Sequence, residues 1–373
     1  SPGWKMARKA VCISAVPVPQ TDTGRYIDIF RGLCMFVVIY SHILLFSIGY
    51  PQTSLLTDFL RGFFLNSFFF ISGFLSYKET NWNLSNTKRF IIKKIMTLFI
   101  PTLTCLGIFC FFMNGNYINA LLGSSKSGYW FTFTLFEMFF IYAIFAFFTN
   151  RVKNITWKTI LLLFLAIISY LIKKTFIEEG FLFNILSLNQ LLYYFPLFLL
   201  GIICKVNVLL FHKIIKYKII KILLLIIVCL ELKTHCIPLI IYNISATLLV
   251  YYIIKDSITT NSSTSIIYKY GTKLFQRIGQ NTLPIYFLHY FILFKYPNAI
   301  TQYMQSLYSD FCFASHSCAG FIELIIIGTT SILIALTCIY ITKILNYIPY
   351  INILMFGINT KDMTPSREYN NKK

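Results

Sequence analysis

The stretch DIFRGLCMFVVIYSHILLFSI, which runs from Asp28 to Ile48, decides the fold because its 21 residues are apolar almost throughout. A helix needs about 20 such residues to cross a hydrocarbon core of about 30 Å. A helix also pairs its own backbone N–H and C=O groups, which find no water partner in that core. We therefore predict that this stretch is a membrane-spanning helix.

Nine further stretches of the same character follow along the chain. They are Phe59–Tyr77, Ile95–Met113, Tyr129–Phe148, Trp157–Ile172, Leu188–Cys204, Ile219–Glu231, Ile237–Ile254, Thr282–Phe294 and Phe321–Thr342. Hydrophobic residues make up 57% of the 373 residues and charged residues only 12%, which is too apolar for a water-exposed globule. The expected fold is an all-α polytopic membrane bundle of about ten transmembrane helices.

The basic residues that give the net charge of +20 are distributed unequally between the two sides of the membrane. If the N-terminus is cytoplasmic, 26 of the 33 Lys and Arg residues fall in the inside segments and five in the outside loops. Such an excess is typical of cytoplasmic loops, and it places both termini in the cytoplasm. The basic charge therefore indicates topology and contact with the anionic lipid bilayer, and no nucleic-acid partner is expected.

The chain divides into one membrane domain and two short ends. We expect residues 1–24 to be a mobile cytoplasmic extension, 25–358 to be the transmembrane domain and 359–373 to be a cytoplasmic tail. Most of the ten cysteines fall in apolar spans, where a thiol behaves as a small hydrophobe. Cys312, His316 and Cys318 could close a small disulfide loop or hold a metal, but a clear fourth ligand is absent, so we expect no metal.

Ionisable side chains inside the predicted spans are functional candidates, because hydrocarbon disfavours them unless they face a cavity or a partner. Apart from the ends of the later spans, they are Asp28, Arg31, His42, Arg61, Glu137 and His289. Arg31 and His42 are eleven residues apart, so they share one helix face and differ in depth by about 16 Å. One groove could contact both side chains.

This arrangement suits a long ligand with an anionic head and a reactive tip, as in coenzyme A thioesters. Arg31 would contact phosphate, and the imidazole of His42 would meet the reactive group. Structural alternatives stay open. His42 could simply be bonded to a neighbouring helix, and Arg31 could reach lipid phosphate or pair with Asp28.

The other intramembrane groups also have two interpretations each. Glu137 could orient or charge an imidazole or bind an acceptor hydroxyl, or it could be a protonated carboxyl bonded to another helix. Arg61 could bind an acceptor or anchor its span near the outer surface. His289 is expected near the depth of His42, where it could serve the site or only hydrogen-bond at a helix end.

Four motifs occur in a defined order on this pattern of spans. The first joins Arg25, Arg31 and His42, and the second is FFFISGFL from Phe68 to Leu75. The third is YWFTFTLF from Tyr129 to Phe136, and the fourth is NTLPIYFLH from Asn281 to His289. With these motifs over residues 25–290, the sequence resembles the integral-membrane acyltransferase-3 family, in its branch of sugar O-acetyltransferases.

The resemblance implies an acetyl-CoA donor in the cytoplasm and a sugar hydroxyl of a surface or lipid-linked polysaccharide as the acceptor. It also implies a bacterial cytoplasmic (inner) membrane. His42 would be the general base or would carry a transient acetyl group, with Glu137 as a second catalytic residue. Ser72, Trp130, Asn281 and His289 would bind the acceptor, although Ser72 and Asn281 could instead only hydrogen-bond across helices.

One departure concerns the donor site. The family often has two arginines spaced by three before the proline of the third helix, whereas this chain has Lys93 and Lys94, with Thr97 at the second basic position, before Pro101. Phosphate contacts would come from Arg25, Arg31, Arg89, Lys93 and Lys94, and the lysines would act as point charges without the arginine fork.

Two other classes of protein compete with the enzyme. A transporter or flippase of a lipid-linked glycan would also have about ten spans and intramembrane charges. The sequence shows no inverted repeats with paired broken helices, which favours the enzyme over the transporter. A scaffolding membrane protein would leave His42 and Glu137 without a role.

Overall fold

The computed structural model describes residues 22–48, 55–175, 180–260, 266–293, 298–309 and 316–357. The regular structure within these ranges is helical, and no strand occurs in them, which confirms the all-α expectation. Residues 1–21, Cys312 and the predicted tail 359–373 lie outside the described part of the chain.

The α-helices follow one another with short connections. In chain order they are α1 (Asp22–Ile43), α2 (Leu55–Ser76), α3 (Leu84–Lys94), α4 (Ile100–Phe112), α5 (Tyr117–Leu122), α6 (Trp130–Phe148), α7 (Ile155–Thr175), α8 (Phe181–Ile185) and α9 (Leu188–Val206). The remainder are α10 (Val208–Lys216), α11 (Lys218–Thr234), α12 (Leu239–Thr260), α13 (Ile266–Gln280), α14 (Thr282–Ile292), α15 (Asn298–Ser309), α16 (His316–Leu345) and α17 (Pro349–Phe356).

Eight helical segments of the described chain are long and apolar enough to cross a membrane. They are Gly24–Ile48, Leu56–Ser76, Leu84–Phe112, Trp130–Phe148, Ile155–Thr175, Leu188–Val206, Leu239–Ile258 and Phe321–Leu345. Each of them overlaps one of the ten predicted spans. The other two predicted spans also form helices, but these are shorter than the eight segments above. α11 has 17 residues and α14 has 11.

The ninth predicted span is half of a bent helix. α13 leads into α14 through Asn281, whose φ of −114° and ψ of 22° are not helical. The two halves differ in character, since α13 carries Lys269, Lys273 and Arg277 whereas α14 is almost entirely apolar. Apolar content alone therefore detected α14 and missed α13.

Two π-helical turns lie within the predicted first and third spans. Leu44–Ile48 continues α1 just beyond His42, and Ile95–Phe99 joins α3 to α4. Pro101, at the start of α4, lacks the N–H that a regular helix would use there, which accounts for the irregular turn before it. Lys93 and Lys94 consequently lie on a helix and not in a loop.

The centre of the bundle is α1, which packs against α2, α12, α13, α14 and α16. Peripheral helices instead expose large apolar side chains, as α7 does with Ile160, Phe164 and Ile167. In water such a surface would aggregate, whereas in a bilayer it contacts the lipid. The bundle is therefore built with a lipid-facing exterior and a core around α1.

Glycine allows α1 and α13 to touch through their backbones. A Cβ atom on Gly32 would lie 1.9 Å from the carbonyl oxygen of Phe275, and one on Gly279 would lie 1.7 Å from the carbonyl oxygen of Asp28. Small residues at such crossings replace the hydrophobic driving force, which is absent between helices in lipid. This contact fixes the position of the helix that leads into α14.

We expect Gly279→Ala to lower the stability of the bundle by about 1–3 kcal/mol, because the added methyl group overlaps backbone atoms that cannot move away singly. Gly271→Ala on the same helix is the matched control, since nothing lies within 4 Å of its added methyl group. Thermal unfolding of both variants in lipid nanodiscs measures the difference. Equal midpoints would contradict the close contact.

Candidate active site

A hydrogen-bonded pair of histidines joins α1 to α14. Nδ1 of His42 lies 2.8 Å from Nε2 of His289, and their rings are nearly parallel, with an interplanar angle of 4°. His289 is fully buried, and His42 is partly exposed to a cavity. The structure thus brings together two residues that are 247 positions apart in the sequence.

The partners of His289 determine which nitrogen carries each proton. Nδ1 of His289 lies 2.7 Å from the carbonyl oxygen of Tyr286, so this nitrogen must donate. In the neutral ring Nε2 then accepts, which makes Nδ1 of His42 the donor of the histidine pair. Nε2 of His42 is consequently left with a lone pair, as a general base requires.

The hydroxyl of Tyr290 completes this arrangement. It lies 3.2 Å from Nε2 of His42 and 3.3 Å from the carbonyl oxygen of Gly128. The hydroxyl of Tyr286 also donates to that carbonyl, at 2.8 Å. The turn that contains Gly128 therefore holds both tyrosines of α14 beside the histidine pair.

An outer cavity of about 210 Å³ contains the exposed edge of His42. Its other polar side chains are Ser41, Arg61, Trp130, Tyr286 and Tyr290. Trp130 stacks on Tyr194 with ring centroids 5.7 Å apart, which holds its indole at the cavity wall. This cavity combines one base, one cation and several aromatic rings.

An inner cavity of about 360 Å³ lies on the side of Arg31. Four cationic side chains line it: Arg31, Lys78, Lys93 and Lys94. Arg31 donates to the hydroxyl of Thr282 at 2.6 Å, which fixes the guanidinium at the start of α14. The rest of the wall is mainly Leu and Phe, so the cavity is cationic at one end and apolar elsewhere.

The two cavities share a wall of four side chains. Val38, Leu65, Phe131 and Tyr286 line both of them. Val38 lies one helical turn from His42 on α1 and two turns from Arg31. A ligand in the inner cavity would therefore meet this wall before it could reach the histidine.

Six of the predicted site residues line one of the two cavities. Arg31, Ser72, Lys93 and Lys94 line the inner cavity, whereas His42 and Trp130 line the outer cavity. Ser72 was expected at the acceptor and instead lies on the inner side. Arg25, Arg89 and Asn281 line neither cavity, and the amide of Asn281 donates to the carbonyl oxygen of Arg277 at 2.8 Å.

Glu137 also lines neither cavity, and the hydrogen bonds of His42 go to His289 and Tyr290. Glu137 interacts electrostatically with Lys126. Burial lowers the pKa of Lys126 to about 8, and the electrostatic interaction with Glu137 opposes this shift. Glu137 is therefore associated with the Lys126 turn, and within the described residues neither histidine of the pair is hydrogen-bonded to a carboxylate.

Sequence reasoning missed several residues that the fold brings to the site. Tyr290 directly follows the last motif, Thr282 lies within it, and Lys78 belongs to the basic inside segment. Glu323 lies near the start of the last predicted span, among the span-end residues that were set aside. It is fully buried on α16, where it accepts hydrogen bonds from the hydroxyls of Tyr40 and Thr57.

These features define an integral membrane protein with a hydrogen-bonded histidine pair at the outer cavity, which shares a wall with the cationic inner cavity. A comparison with protein families matches an acyltransferase domain to residues 25–344. The chain belongs to the acyltransferase-3 family, whose members are membrane acyltransferases. No curated protein and no solved structure among those compared matches the chain significantly.

We expect His42 to carry its proton on Nδ1, because Nε2 of His289 can only accept in the neutral pair. Nitrogen chemical shifts of labelled protein distinguish the two tautomers. In His289→Ala the acceptor is lost, so the signal should move towards the Nε2–H form, whereas Tyr290→Phe should leave Nδ1–H dominant. A wild-type spectrum with the proton on Nε2 would overturn the assignment.

Proposed function

We propose that the protein is a membrane O-acyltransferase that moves an acetyl group from cytoplasmic acetyl-CoA to a sugar hydroxyl of a surface or lipid-linked polysaccharide. Its location would be the bacterial cytoplasmic membrane. The observation that carries the proposal is the lone pair on Nε2 of His42, at a cavity that shares a wall with a cationic cavity. Family membership favours acyl transfer over transport of a glycan.

The inner cavity has the chemistry that an acyl-CoA donor requires. Its four cations suit the phosphates of the nucleotide, and its apolar wall suits the pantetheine arm. Arg31 offers a guanidinium already oriented by Thr282, and Lys94 is held with its Nζ 3.5 Å from the centroid of the Phe139 ring. The inner cavity therefore offers cations for the phosphates of the donor and an apolar wall for its pantetheine arm.

In the proposed reaction, Nε2 of His42 takes the proton of the acceptor hydroxyl. The hydroxyl oxygen forms a bond to the thioester carbonyl carbon, the carbon–sulfur bond breaks, and the thiolate of CoA leaves and acquires a proton. In the alternative route, Nε2 itself attacks the thioester carbonyl carbon, and the carbon–sulfur bond breaks as the thiolate of CoA leaves. The sugar hydroxyl oxygen then attacks the acetyl carbon, the bond from that carbon to Nε2 breaks, and the hydroxyl proton passes through the imidazole to the thiolate. Both routes need the same free nitrogen.

The hydroxyl of Tyr290 has a defined place in this chemistry. It donates to Nε2 of His42 or to the carbonyl of Gly128, so it can leave the base for Gly128 when an acceptor hydroxyl arrives. That exchange keeps the buried hydroxyl bonded throughout. Tyr290 is thereby a positioning residue for the base.

We expect His42→Ala to lower acetyl transfer by about 10²–10⁴-fold, because the general base is removed. The assay uses purified protein in lipid nanodiscs, radiolabelled acetyl-CoA and de-O-acetylated polysaccharide fragments from the producing cell. His235→Asn, which replaces an exposed histidine in a left-handed turn, is the matched control and should retain activity. Wild-type rates in His42→Ala would refute both proposed routes.

Arg31→Ala and Lys94→Ala should each weaken acetyl-CoA binding, by about tenfold or more for the arginine, since a hydrogen bond to a charged group contributes about 1.5–3 kcal/mol. Lys158→Ala, a lysine on α7 away from the inner cavity, is the control. Calorimetric titration of acetyl-CoA measures the affinities. Unchanged affinity in both inner-cavity variants would exclude this cavity as the donor site.

A further inference from the structure

A third cavity, which we call the polar cavity, lies beside the Lys126–Gly128 turn. None of its lining residues takes part in the proposed acetyl transfer. It has a volume of about 360 Å³ and opens between the end of α4, the short helix α5 and the turn. Its polar side chains are Asn116, Asn119, Ser125 and Ser127, and its apolar ones include Phe109 and Met113.

The described side chains that line this cavity are uncharged. No Asp, Glu, Lys or Arg is among its described lining residues, which carry amides, hydroxyls and apolar groups. Amides both donate and accept hydrogen bonds, and hydroxyls do the same, so the lining matches the hydroxyl groups of a neutral sugar. A phosphate or carboxylate would find no counter-charge there.

The polar groups of the cavity are available for binding. Within the described residues, no protein group hydrogen-bonds to the side chains of Asn119, Ser125 or Ser127. Oδ1 of Asn116 accepts from the backbone N–H of Asn119 at 3.0 Å, which orients the Asn116 amide and leaves its NH₂ group to donate. A sugar could therefore gain several hydrogen bonds without breaking existing ones.

The turn that forms one wall of this cavity is rigidly held. Nζ of Lys126 lies 2.9–3.4 Å from the carbonyl oxygens of Leu121, Gly123, Asn184 and Ile185, and its three N–H groups are shared among these four acceptors. The lysine is fully buried and does not line the cavity, so its charge supports the turn without facing a ligand. A preorganised wall binds with a smaller loss of conformational freedom.

Only a thin partition separates this cavity from the one that contains His42. Ser127 lines the polar cavity, and the next residue, Gly128, lines the outer cavity. Phe109 also lines the polar cavity, and its ring packs edge to face on Tyr290, with centroids 6.1 Å apart. A chain of linked sugars could therefore lie across the Ser127–Gly128 peptide with one unit on each side.

We propose that the polar cavity is a second sugar subsite, which binds a neutral unit adjacent to the one whose hydroxyl meets His42. The enzyme then recognises an acceptor of at least two linked sugars. This inference rests on the proposed transfer to a sugar hydroxyl, and it adds a selection for acceptor length.

The test uses de-O-acetylated fragments of the producing cell's surface polysaccharide, sized from one sugar to several, with the full chain in lipid nanodiscs. In the wild type, fragments that reach both cavities should have a lower KM than single sugars. Asn119→Ala and Ser125→Ala should each raise the KM of long fragments by about threefold to tenfold, the effect of one hydrogen bond. The KM of single sugars and kcat should not change.

Thr156→Ala, which removes an exposed hydroxyl at the start of α7, is the matched control and should behave as the wild type. Transfer with the same length dependence in all variants would overturn the subsite and leave the proposed function standing. Fragment binding is measured in parallel by saturation-transfer NMR. Binding of long fragments that weakens in the two variants, without any transfer, would support the subsite and refute the proposed function. Absence of both binding and transfer would refute both.

Discussion

The site depends on the hydrogen bond between Nδ1 of His42 and Nε2 of His289. An imidazole in a membrane bundle must satisfy two ring nitrogens without water, so each partner is constrained by the next. The backbone of α14 occupies Nδ1 of His289, His289 occupies Nδ1 of His42, and Nε2 of His42 is what remains for chemistry. The position of α14 therefore determines both the geometry and the protonation of the base.

This constraint explains why so much of the surrounding structure is fixed. α14 has 11 residues and cannot hold its place by length alone. The contact between Gly32 and α13 holds the leading end of α14. Arg31 binds Thr282, the first residue of α14. The carbonyl oxygen of Gly128 accepts hydrogen bonds from the hydroxyls of Tyr286 and Tyr290. Gly128 has a φ of 98°, and a Cβ atom there would lie 2.5 Å from the ring of Tyr290. The close approach thus requires glycine.

The sequence predicted the features that depend on local composition and spacing. Apolar runs located all eight long spans, and the eleven-residue spacing placed Arg31 and His42 on one face of α1. Features that depend on contacts between distant segments were not accessible. The interaction of Glu137 with Lys126 and the partners of Glu323 each depend on the relative rotation of helices, which a single sequence does not encode as a visible pattern.

The charges around the cavities distinguish the two proposed substrates. The inner cavity has four cationic side chains and no acidic side chain among its described lining, which suits a polyanion. The outer cavity has Arg61, but Glu323 interacts with that charge, and Glu323 is itself buried and bonded to Tyr40 and Thr57.

Arg61 is the one cationic side chain among the described lining of the outer cavity and interacts with Glu323, so this cavity is less positive than the inner cavity with its four cations. The polar cavity beyond the turn has no charged side chain at all among its described lining. Because electrostatic complementarity contributes more to the choice of partner than to affinity, the proposed phosphate-rich donor would favour the inner cavity, and the proposed uncharged sugar would favour the outer cavity and the polar cavity. His42 lines the outer cavity, where under this proposal its imidazole would accept the proton of a hydroxyl without competition from a bound anion.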